Sequence, residues 1–300
     1  MRSFRQFPLA FFLHKAYNAH TDTPPGRQPQ TIEEMNEMKT MKKLAALLLA
    51  LAMAAALCAC SAGKPGANLK TVEEGKLHMS TNAAFPPYEM KKDDGGYEGI
   101  DVEVAEAIAK KLGLELVVDD MGFTAALMAV QNGESDIAMA AITVKPDRQE
   151  VMDFTDSYAT GIQVVIVKED SPIQSIDDLG NAEMIGCQAD TTGYFYCSDT
   201  PENGGYGEDH VTAYDTGALA VMDLVAGTID AVVIDDGPAQ AYVAQNPGLK
   251  ILDGAWVTED YAIGLAKGNT ALLDAVNAAL AELKADGTFQ KIVDKYIKAD

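Results

Sequence analysis

Residues 99–113 read GIDVEVAEAIAKKLG, and this stretch decides how the chain folds. Apolar side chains recur along it at helical spacing: Val104, Ala105, Ile108 and Leu112. The pattern predicts an amphipathic helix with Asp101 as its N-cap and Gly113 as its end. Short apolar strands are predicted on either side of it, at 77–80 and 114–118. The helix therefore connects two strands of one sheet and covers that sheet with its apolar face.

Strands and helices alternate again farther along the chain. A helix is predicted over 123–131 and a short apolar strand over 136–140, which completes a β-α-β-α-β order. A second set of alternating strands and helices follows over about 183–245. Each set indicates a mostly parallel sheet covered by helices.

Two crossings divide the chain into domains. A long β-branched run at 161–167 leads from the first set of elements into the second, and a strand at 261–266 leads back. We therefore predict the α/β class, with two doubly wound α/β domains joined by two crossing strands. The predicted domains are residues 70–160 plus 259–300, and residues 162–256.

Composition and charge exclude several classes of function. The chain has 300 residues, 48% hydrophobic content and a formal net charge of −22. A surface this acidic repels phosphate backbones, so we expect no nucleic-acid partner. The four histidines show none of the spacings that bind metal, so neither a zinc site nor another cofactor is expected.

The N-terminal residues resemble an export signal behind an unrelated extension. Residues 1–40 have no sustained periodicity, and we interpret them as a non-native upstream extension; a genuine cytoplasmic leader is the alternative. Residues 41–59 begin Met-Lys-Lys and continue with an apolar run that is too short for a comfortable membrane span. This arrangement is typical of a signal peptide.

The predicted signal ends in LCACS, residues 57–61, which resembles the cleavage box of bacterial lipoproteins. By that resemblance, Cys60 becomes the first mature residue, is lipidated and tethers the protein to a membrane through residues 60–69. Ordinary secretion with cleavage after an alanine is the alternative. Only Cys187 and Cys197 then remain, and the sequence leaves open whether they form a disulfide or two buried thiols.

Arg148 is the one arginine after residue 27, where lysine supplies the other positive charges. A guanidinium is planar and matches a carboxylate through two parallel hydrogen bonds, so this arginine indicates a carboxylate-binding site. A surface ion pair is the alternative for an isolated arginine. Further candidates lie near the predicted carboxyl ends of strands, where open α/β sheets bind ligands. They are Asn82, Phe85, Ala140, Ala141, Thr143, Gln188, Thr191, Thr192 and Asp235.

Several motifs in a fixed order resemble one family. They lie at residues 85–89, 99–112, 136–148, 153–158 and 283–289. From about residue 70 to 298 the chain is similar to the extracellular solute-binding proteins of the polar amino-acid ABC transporter family, family 3. The resemblance implies the type II periplasmic-binding-protein fold, in which two domains close on a ligand by rotation about two crossing strands, here expected near 159–163 and 257–261.

The resemblance also implies a role for each polar group. Arg148 takes the α-carboxylate of an amino acid, helped by the backbone N–H groups of Thr143 and Thr192. Asp235 takes the α-ammonium, helped by the Ala141 carbonyl and the Thr143 hydroxyl.

The same resemblance limits the side chain of the amino acid. Phe85 and Phe123 line it with apolar rings. Asn82 stands where the family often has an aspartate that reads a cationic or amide side chain, and Ala140 with its neighbour resembles the glutamine-type members. A neutral polar amino acid is therefore favoured, and a basic one is second. Asp190 stands where the family usually has glycine, either exposed or with its carboxylate near the ligand.

The implied function is that of an extracytoplasmic lipoprotein, anchored to the bacterial cell membrane. It captures an amino acid by hinge closure and delivers it to an ABC transporter permease. We expect a monomer without enzymatic activity. The alternatives are an amino-acid sensor subunit, which would signal through a partner, and a dehydratase on the same scaffold, which would need a paired general acid and base.

Overall fold

The computed structural model describes residues 69–297. The predictions for the extension at 1–40, the signal peptide at 41–59, the lipidation of Cys60 and all but the last residue of the tether at 60–69 lie outside the described residues. Within the described range, no helix combines the length and the apolar character needed to cross a membrane.

The first sheet has five strands. In spatial order they are β5 (Glu115–Asp120), β1 (Lys76–Thr81), β6 (Ile137–Ala138), β14 (Gly264–Ala266) and β7 (Met152–Phe154). β1 pairs in parallel with both β5 and β6, as the β-α-β-α-β order predicts. β14, the strand that returns from the second sheet, pairs antiparallel with β6 and β7. A separate small antiparallel sheet holds β2 (Ala84–Phe85), β3 (Glu89–Lys91) and β4 (Tyr97–Glu98).

The second sheet has six strands. In spatial order they are β10 (Val211–Tyr214), β9 (Ile185–Gln188), β11 (Ala231–Asp235), β8 (Ala159–Lys168) and β12 (Leu249–Ile251), while β13 (Val257–Tyr261) pairs with another part of β8. β9 pairs in parallel with β10 and β11. The long strand β8 pairs antiparallel with β11, β12 and β13.

Helices pack on both sheets. The α-helices are α1 (Ile100–Leu112), α2 (Phe123–Gln131), α3 (Pro146–Val151), α4 (Thr192–Ser198), α5 (Gly217–Ala226), α6 (Asp236–Gln245), α7 (Thr270–Ala285) and α8 (Thr288–Tyr296). Short 3₁₀ helices lie at Ile176–Asn181, Pro201–Asn203 and Glu208–His210. We call the first sheet with the small sheet and α1, α2, α3, α7 and α8 lobe 1. The second sheet with α4, α5 and α6 is lobe 2. The predicted α/β architecture of two units is confirmed.

Helix α1 has the apolar face that its sequence predicts. Its buried residues include Val104, Ala105, Ile108 and Leu112. The prediction that Asp101 caps the helix is wrong, because the helix begins one residue earlier, after Gly99. Gly99 has a φ of 129°, and a Cβ there would collide with the backbone of Tyr88. A side chain is therefore excluded at residue 99, which is the N-cap. Asp101 is the second residue of α1, and its side chain is completely buried.

The two cysteines of lobe 2 are buried among apolar side chains. Cys187 lies on β9 and Cys197 on α4, and both are free thiols in the structure. They belong to the cluster that also contains Val165 and Ile185. Of the two states that the sequence leaves open, the structure shows the thiols.

The two crossing strands lie side by side. β8 and β13 form an antiparallel ladder in which Ala159 faces Tyr261 and Gln163 faces Val257. The predicted crossings are therefore present, whereas rotation about them and the residue boundaries of the domains stay predictions. Gly161 lies in this ladder, and a Cβ at its position would collide with the hydroxyl of Tyr261 and approach Asp235. The absence of a side chain there lets these two groups meet.

We expect Gly161→Ala to lower the free energy of unfolding by about 1–3 kcal/mol, because the methyl group enters a packed site. Denaturant unfolding measures this. Gly122→Ala is the matched control, since a Cβ at Gly122 meets no atom within 4 Å and should change stability little. Equal stability of the Gly161 variant and the wild type would show that the ladder tolerates a side chain there.

Candidate ligand-binding site

A cavity is lined by residues of both lobes, and it has about 340 Å³ of empty space, part of which is open solvent. All eleven residues predicted from the sequence line it: Asn82, Phe85, Phe123, Ala140, Ala141, Thr143, Arg148, Gln188, Thr191, Thr192 and Asp235. Glu89, which the sequence analysis did not include among the binding residues, lines it as well. The structure thus brings the whole predicted set to one place, while the role of these residues in binding stays a prediction.

The sheets explain why distant residues meet. β1 ends directly before Asn82 and β6 ends two residues before Ala140, in lobe 1. In lobe 2, β9 ends at Gln188 and β11 ends at Asp235. Neighbouring parallel strands end at the same edge of a sheet, so their following turns converge on one cleft. The N-terminus of α4, where Thr192 lies, also opens toward this cavity.

Arg148 is buried at this cavity and is held by neutral groups. One terminal guanidinium nitrogen donates to the carbonyl of Thr143 and the other to the carbonyl of Asp190, both at 3.0 Å. The guanidinium carbon also lies 5.4 Å from the centre of the Phe123 ring. Burial lowers the pKa of Arg148, although an arginine stays charged at any physiological pH. The surface ion pair that a lone arginine suggests is therefore not its environment.

Asp235 is a buried acidic group that lines the same cavity. Its carboxylate accepts a hydrogen bond from the side-chain amide of Gln163 at 2.9 Å and another from the hydroxyl of Tyr261. Burial raises the pKa of Asp235 to about 7, mainly because the charged form loses water. A cation placed against this carboxylate would favour its charged form and lower the pKa again.

Ala141 has a backbone conformation that its side chain rarely adopts. Its φ is 47°, and its N–H donates to the carboxylate of Asp101 at 3.0 Å. The hydroxyl of Tyr158 donates to the same carboxylate oxygen at 2.8 Å. Asp101 therefore holds the backbone turn that follows β6.

Asp101 and Glu89 form a buried acidic pair. Burial raises the pKa of Asp101 to about 6. Burial, together with the charge of Asp101, raises the pKa of Glu89 well above its usual range. Neither carboxyl oxygen of Glu89 has a hydrogen-bond partner among residues 69–297. This pair adds acidic groups near Asp235.

Hydrogen bonds across the cleft join the two lobes next to the cavity. The side-chain amide of Gln188 in lobe 2 donates to the side-chain oxygen of Asn82 in lobe 1 at 2.9 Å. The Arg148 bond to Asp190 also joins the two lobes. Asp190 has a φ of 59°, which explains why glycine suits this position, and its carboxylate accepts a hydrogen bond from Thr124. The Asp190 side chain thus reaches across the cleft to α2.

The sequence analysis missed Glu259, which is also buried. Glu259 lies on β13, and its carboxylate accepts hydrogen bonds from several side chains around the site: Thr143 at 3.3 Å, Gln163 at 3.1 Å, Thr192 at 2.7 Å and Tyr196 at 2.8 Å. The period-two alternation of β13 places Glu259 on the same face as Tyr261. This alternation was the signal that could have indicated a buried Glu259. A glutamate in a short strand, however, usually indicates an exposed face.

Among residues 69–297, no group of three or more His, Cys, Asp or Glu side chains is placed to hold a metal ion. The chemistry of the described cavity is that of one guanidinium, buried carboxyl groups, hydroxyls and backbone groups. These groups suit a small molecule that carries both a negative and a positive charge.

The family model of the bacterial extracellular solute-binding proteins, family 3, matches residues 77–299. The match covers most of the chain, and the chain belongs to this family. The predicted family is therefore confirmed, without evidence on the lipoprotein form.

Named relatives agree with this assignment. The chain is 32% identical over 261 residues to a probable histidine-binding protein of Neisseria gonorrhoeae, covering 85% of this chain and 96% of the relative. It is 31% identical over 265 residues to the arginine-binding extracellular protein ArtP of Bacillus subtilis strain 168, covering 87% of this chain and 100% of the relative. Among solved structures, an ancestral arginine-binding protein bound to glutamine has a TM-score of 0.70 and 36% identity, over 76% of this chain and 100% of its own. The predicted type II fold is confirmed by such neighbours.

Asp235→Asn tests the cost of the buried carboxyl. The fold raises the pKa of Asp235 from 3.8 to about 7, so the protonated form is favoured in the folded protein. The protonated Asp235 carboxyl makes its whole contribution to the stability of the folded protein below about pH 4, and this contribution is lost as the pH rises through about 7. The difference in free energy of unfolding, Asn variant minus wild type, should therefore rise by about 4 kcal/mol between about pH 4 and pH 8. Denaturant unfolding without added amino acid measures this difference, and a difference independent of pH would contradict the assignment.

Proposed function

We propose that this protein is an extracytoplasmic amino-acid-binding protein that captures a polar amino acid between its lobes and delivers it to an ABC transporter permease. One observation carries the proposal: Arg148 and Asp235, both buried, line the same cavity. A free amino acid is the small molecule whose opposite charges fit such an arrangement. Relatives named for histidine and arginine binding support the same class of ligand.

Arg148 would bind the α-carboxylate. Its guanidinium already faces backbone carbonyls and a ring, so it is fixed in orientation while it still has N–H donors to offer. The backbone N–H of Thr192 lies at the N-terminus of α4, where free N–H groups and the helix dipole favour an anion. The N–H of Thr143 completes the proposed set of donors.

Asp235 would bind the α-ammonium. Tyr261 and Gln163 fix its carboxylate, and the ammonium would supply the positive charge that favours its ionised form. The Ala141 carbonyl and the Thr143 hydroxyl would accept the other ammonium hydrogens. Charges of opposite sign are thus recognised at separate places in one cavity.

The remaining wall would contact the amino-acid side chain. Phe85 and Phe123 give it apolar rings, Ala140 and Thr191 give it small surfaces, and the hydrogen-bonded pair of Asn82 and Gln188 gives it uncharged polar groups. An uncharged polar pair favours a neutral polar side chain, such as that of glutamine. A basic side chain is the second choice, since buried carboxyl groups are nearby.

Hinge closure and membrane attachment complete the proposal. Rotation about β8 and β13 would open and close the cleft between domains at residues 70–160 plus 259–300 and at residues 162–256. Lipidation at Cys60 would anchor a monomer to the outer face of the membrane, next to the permease. We also propose that the protein is not an enzyme. Formation of product from arogenate or prephenate would reveal a dehydratase, and the lack of a neighbouring permease would favour a sensor subunit.

Isothermal titration calorimetry of the purified protein with a panel of the common L-amino acids and L-cystine tests this function. We expect at least one of them to bind with a dissociation constant in the nanomolar to micromolar range, equivalent to about −8 to −12 kcal/mol. Neutral polar members should bind most tightly. No heat with any member of the panel would refute the proposal.

Arg148→Lys should fold normally and lose at least about 100-fold in affinity for the best amino acid of the panel. A lysine keeps the charge but cannot make two parallel hydrogen bonds to a carboxylate. Titration calorimetry measures the loss, and circular dichroism checks the fold. Lys110→Arg is the control, because Lys110 lies on the exposed side of α1 and far from the cavity wall. Unchanged affinity of the Arg148 variant would show that the carboxylate binds elsewhere.

A further inference from the structure

Glu259 connects three parts of the molecule behind the cavity wall. It accepts hydrogen bonds from Thr143 of lobe 1, from Thr192 and Tyr196 on α4 of lobe 2, and from Gln163 on the crossing strand β8. Only 5% of its surface is exposed. Two of these partners, Thr143 and Thr192, line the cavity themselves. The carboxylate therefore contacts the site through other side chains.

The direction of these hydrogen bonds matters. A threonine hydroxyl has one hydrogen to donate and two lone pairs that accept. Thr143 and Thr192 both donate their hydrogen to Glu259, and the Thr192 hydroxyl also accepts from the side-chain nitrogen of Gln163 at 3.4 Å. Both lone pairs of Thr143 and one of Thr192 therefore remain for other partners. A carboxylate that accepts these bonds thus makes two cavity-lining hydroxyls into acceptors. Acceptors are what an ammonium group needs.

Gln163 extends the same arrangement to Asp235. Its side-chain nitrogen donates to Asp235 at 2.9 Å and to Glu259 at 3.1 Å. The two buried carboxylates are thus held by one amide group and lie on the same side of the cavity. A second negative charge behind the hydroxyls also attracts a positive charge placed among them.

We propose that Glu259 is a positioning residue for the α-ammonium of the bound amino acid. It turns the lone pairs of Thr143 and Thr192 toward the ammonium and adds its own charge behind them. The inference rests on the proposed function, because it needs an amino acid in this cavity. The proposed role concerns the ammonium group alone. Substitution of Glu259 should therefore reduce the affinity for ligands that have this group more than the affinity for ligands that lack it.

Glu259→Gln tests the inference with pairs of ligands that differ only in the ammonium. The pairs are L-glutamine with 4-carbamoylbutanoate, and L-arginine with 5-guanidinopentanoate. Glutamine has the shape of glutamate but no negative charge, and of its two terminal atoms only the oxygen can accept the hydroxyl hydrogens. The variant therefore removes the charge behind Thr143 and Thr192. We expect the variant to lose at least about 10-fold in affinity for the amino acid and less than about threefold for its deaminated partner, by calorimetry and displacement titration. Were the wild type to bind another amino acid of the panel, the corresponding deaminated acid would be used.

Asp260→Asn is the matched control, because it removes one carboxylate from the next residue of the same strand, where the side chain is exposed. Should Glu259→Gln fail to fold, Tyr196→Phe gives a second test. The Tyr196 hydroxyl contacts Glu259 at 2.8 Å and does not line the cavity, and Tyr194→Phe on the same helix controls for the loss of a hydroxyl. The amino acid should again lose more affinity than its deaminated partner.

The outcomes separate the two proposals. Failure of the wild type to bind any amino acid refutes the proposed function. Binding by the wild type, with equal losses for both members of a pair or with no loss in the variants, overturns the role of Glu259 and leaves the proposed function intact.

Discussion

Buried groups of opposite charge, held by neutral partners, are the constraint on which the rest of this structure depends. Arg148 donates to two backbone carbonyls, and Asp235 accepts from an amide and a hydroxyl. Moving a charge out of water costs several kcal/mol unless hydrogen bonds replace the lost solvent. The groups that supply these bonds come from both lobes and from the crossing strands. The cavity can therefore keep its charges buried only while these parts of the chain are held together.

The crossing strands do more than connect the lobes. β8 carries Gln163, and β13 carries Glu259 and Tyr261, which together hold Asp235 and contact both lobes. Gly161 lies in the same ladder and leaves the space in which Tyr261 and Asp235 meet. The strands about which the lobes would rotate therefore also supply hydrogen bonds of the site. A change in their geometry would change the surroundings of Asp235 directly.

Family membership explains the general architecture, whereas individual residues of this chain explain the particular contacts at its site. Family membership accounts for the α/β lobes and for the convergence of strand ends. Asp190 is a departure from the family pattern, and the structure gives it a specific contact, since its side chain reaches Thr124 across the cleft. Its left-handed backbone is tolerated because aspartate adopts that conformation more readily than bulkier residues do. The site is also acidic, because Glu89, Asp101 and Glu259 are buried in its surroundings. This property follows from the individual residues of this chain.

The sequence by itself determined the alternation of strands and helices, the apolar face of α1 and the set of residues at the cavity. Local periodicity accounts for the alternation and the apolar face, and strand ends converge wherever such sheets form. The family resemblance supplied the rest of the residue set, including Phe123. Only the tertiary structure decided the roles of Asp101 and Glu259. The N-cap prediction for Asp101 failed because Gly99 packs against the backbone of Tyr88, and Glu259 is buried because both lobes cover one face of β13. The alternation of β13 is compatible with either face being buried, so only the contacts with distant segments decide that the Glu259 face is covered.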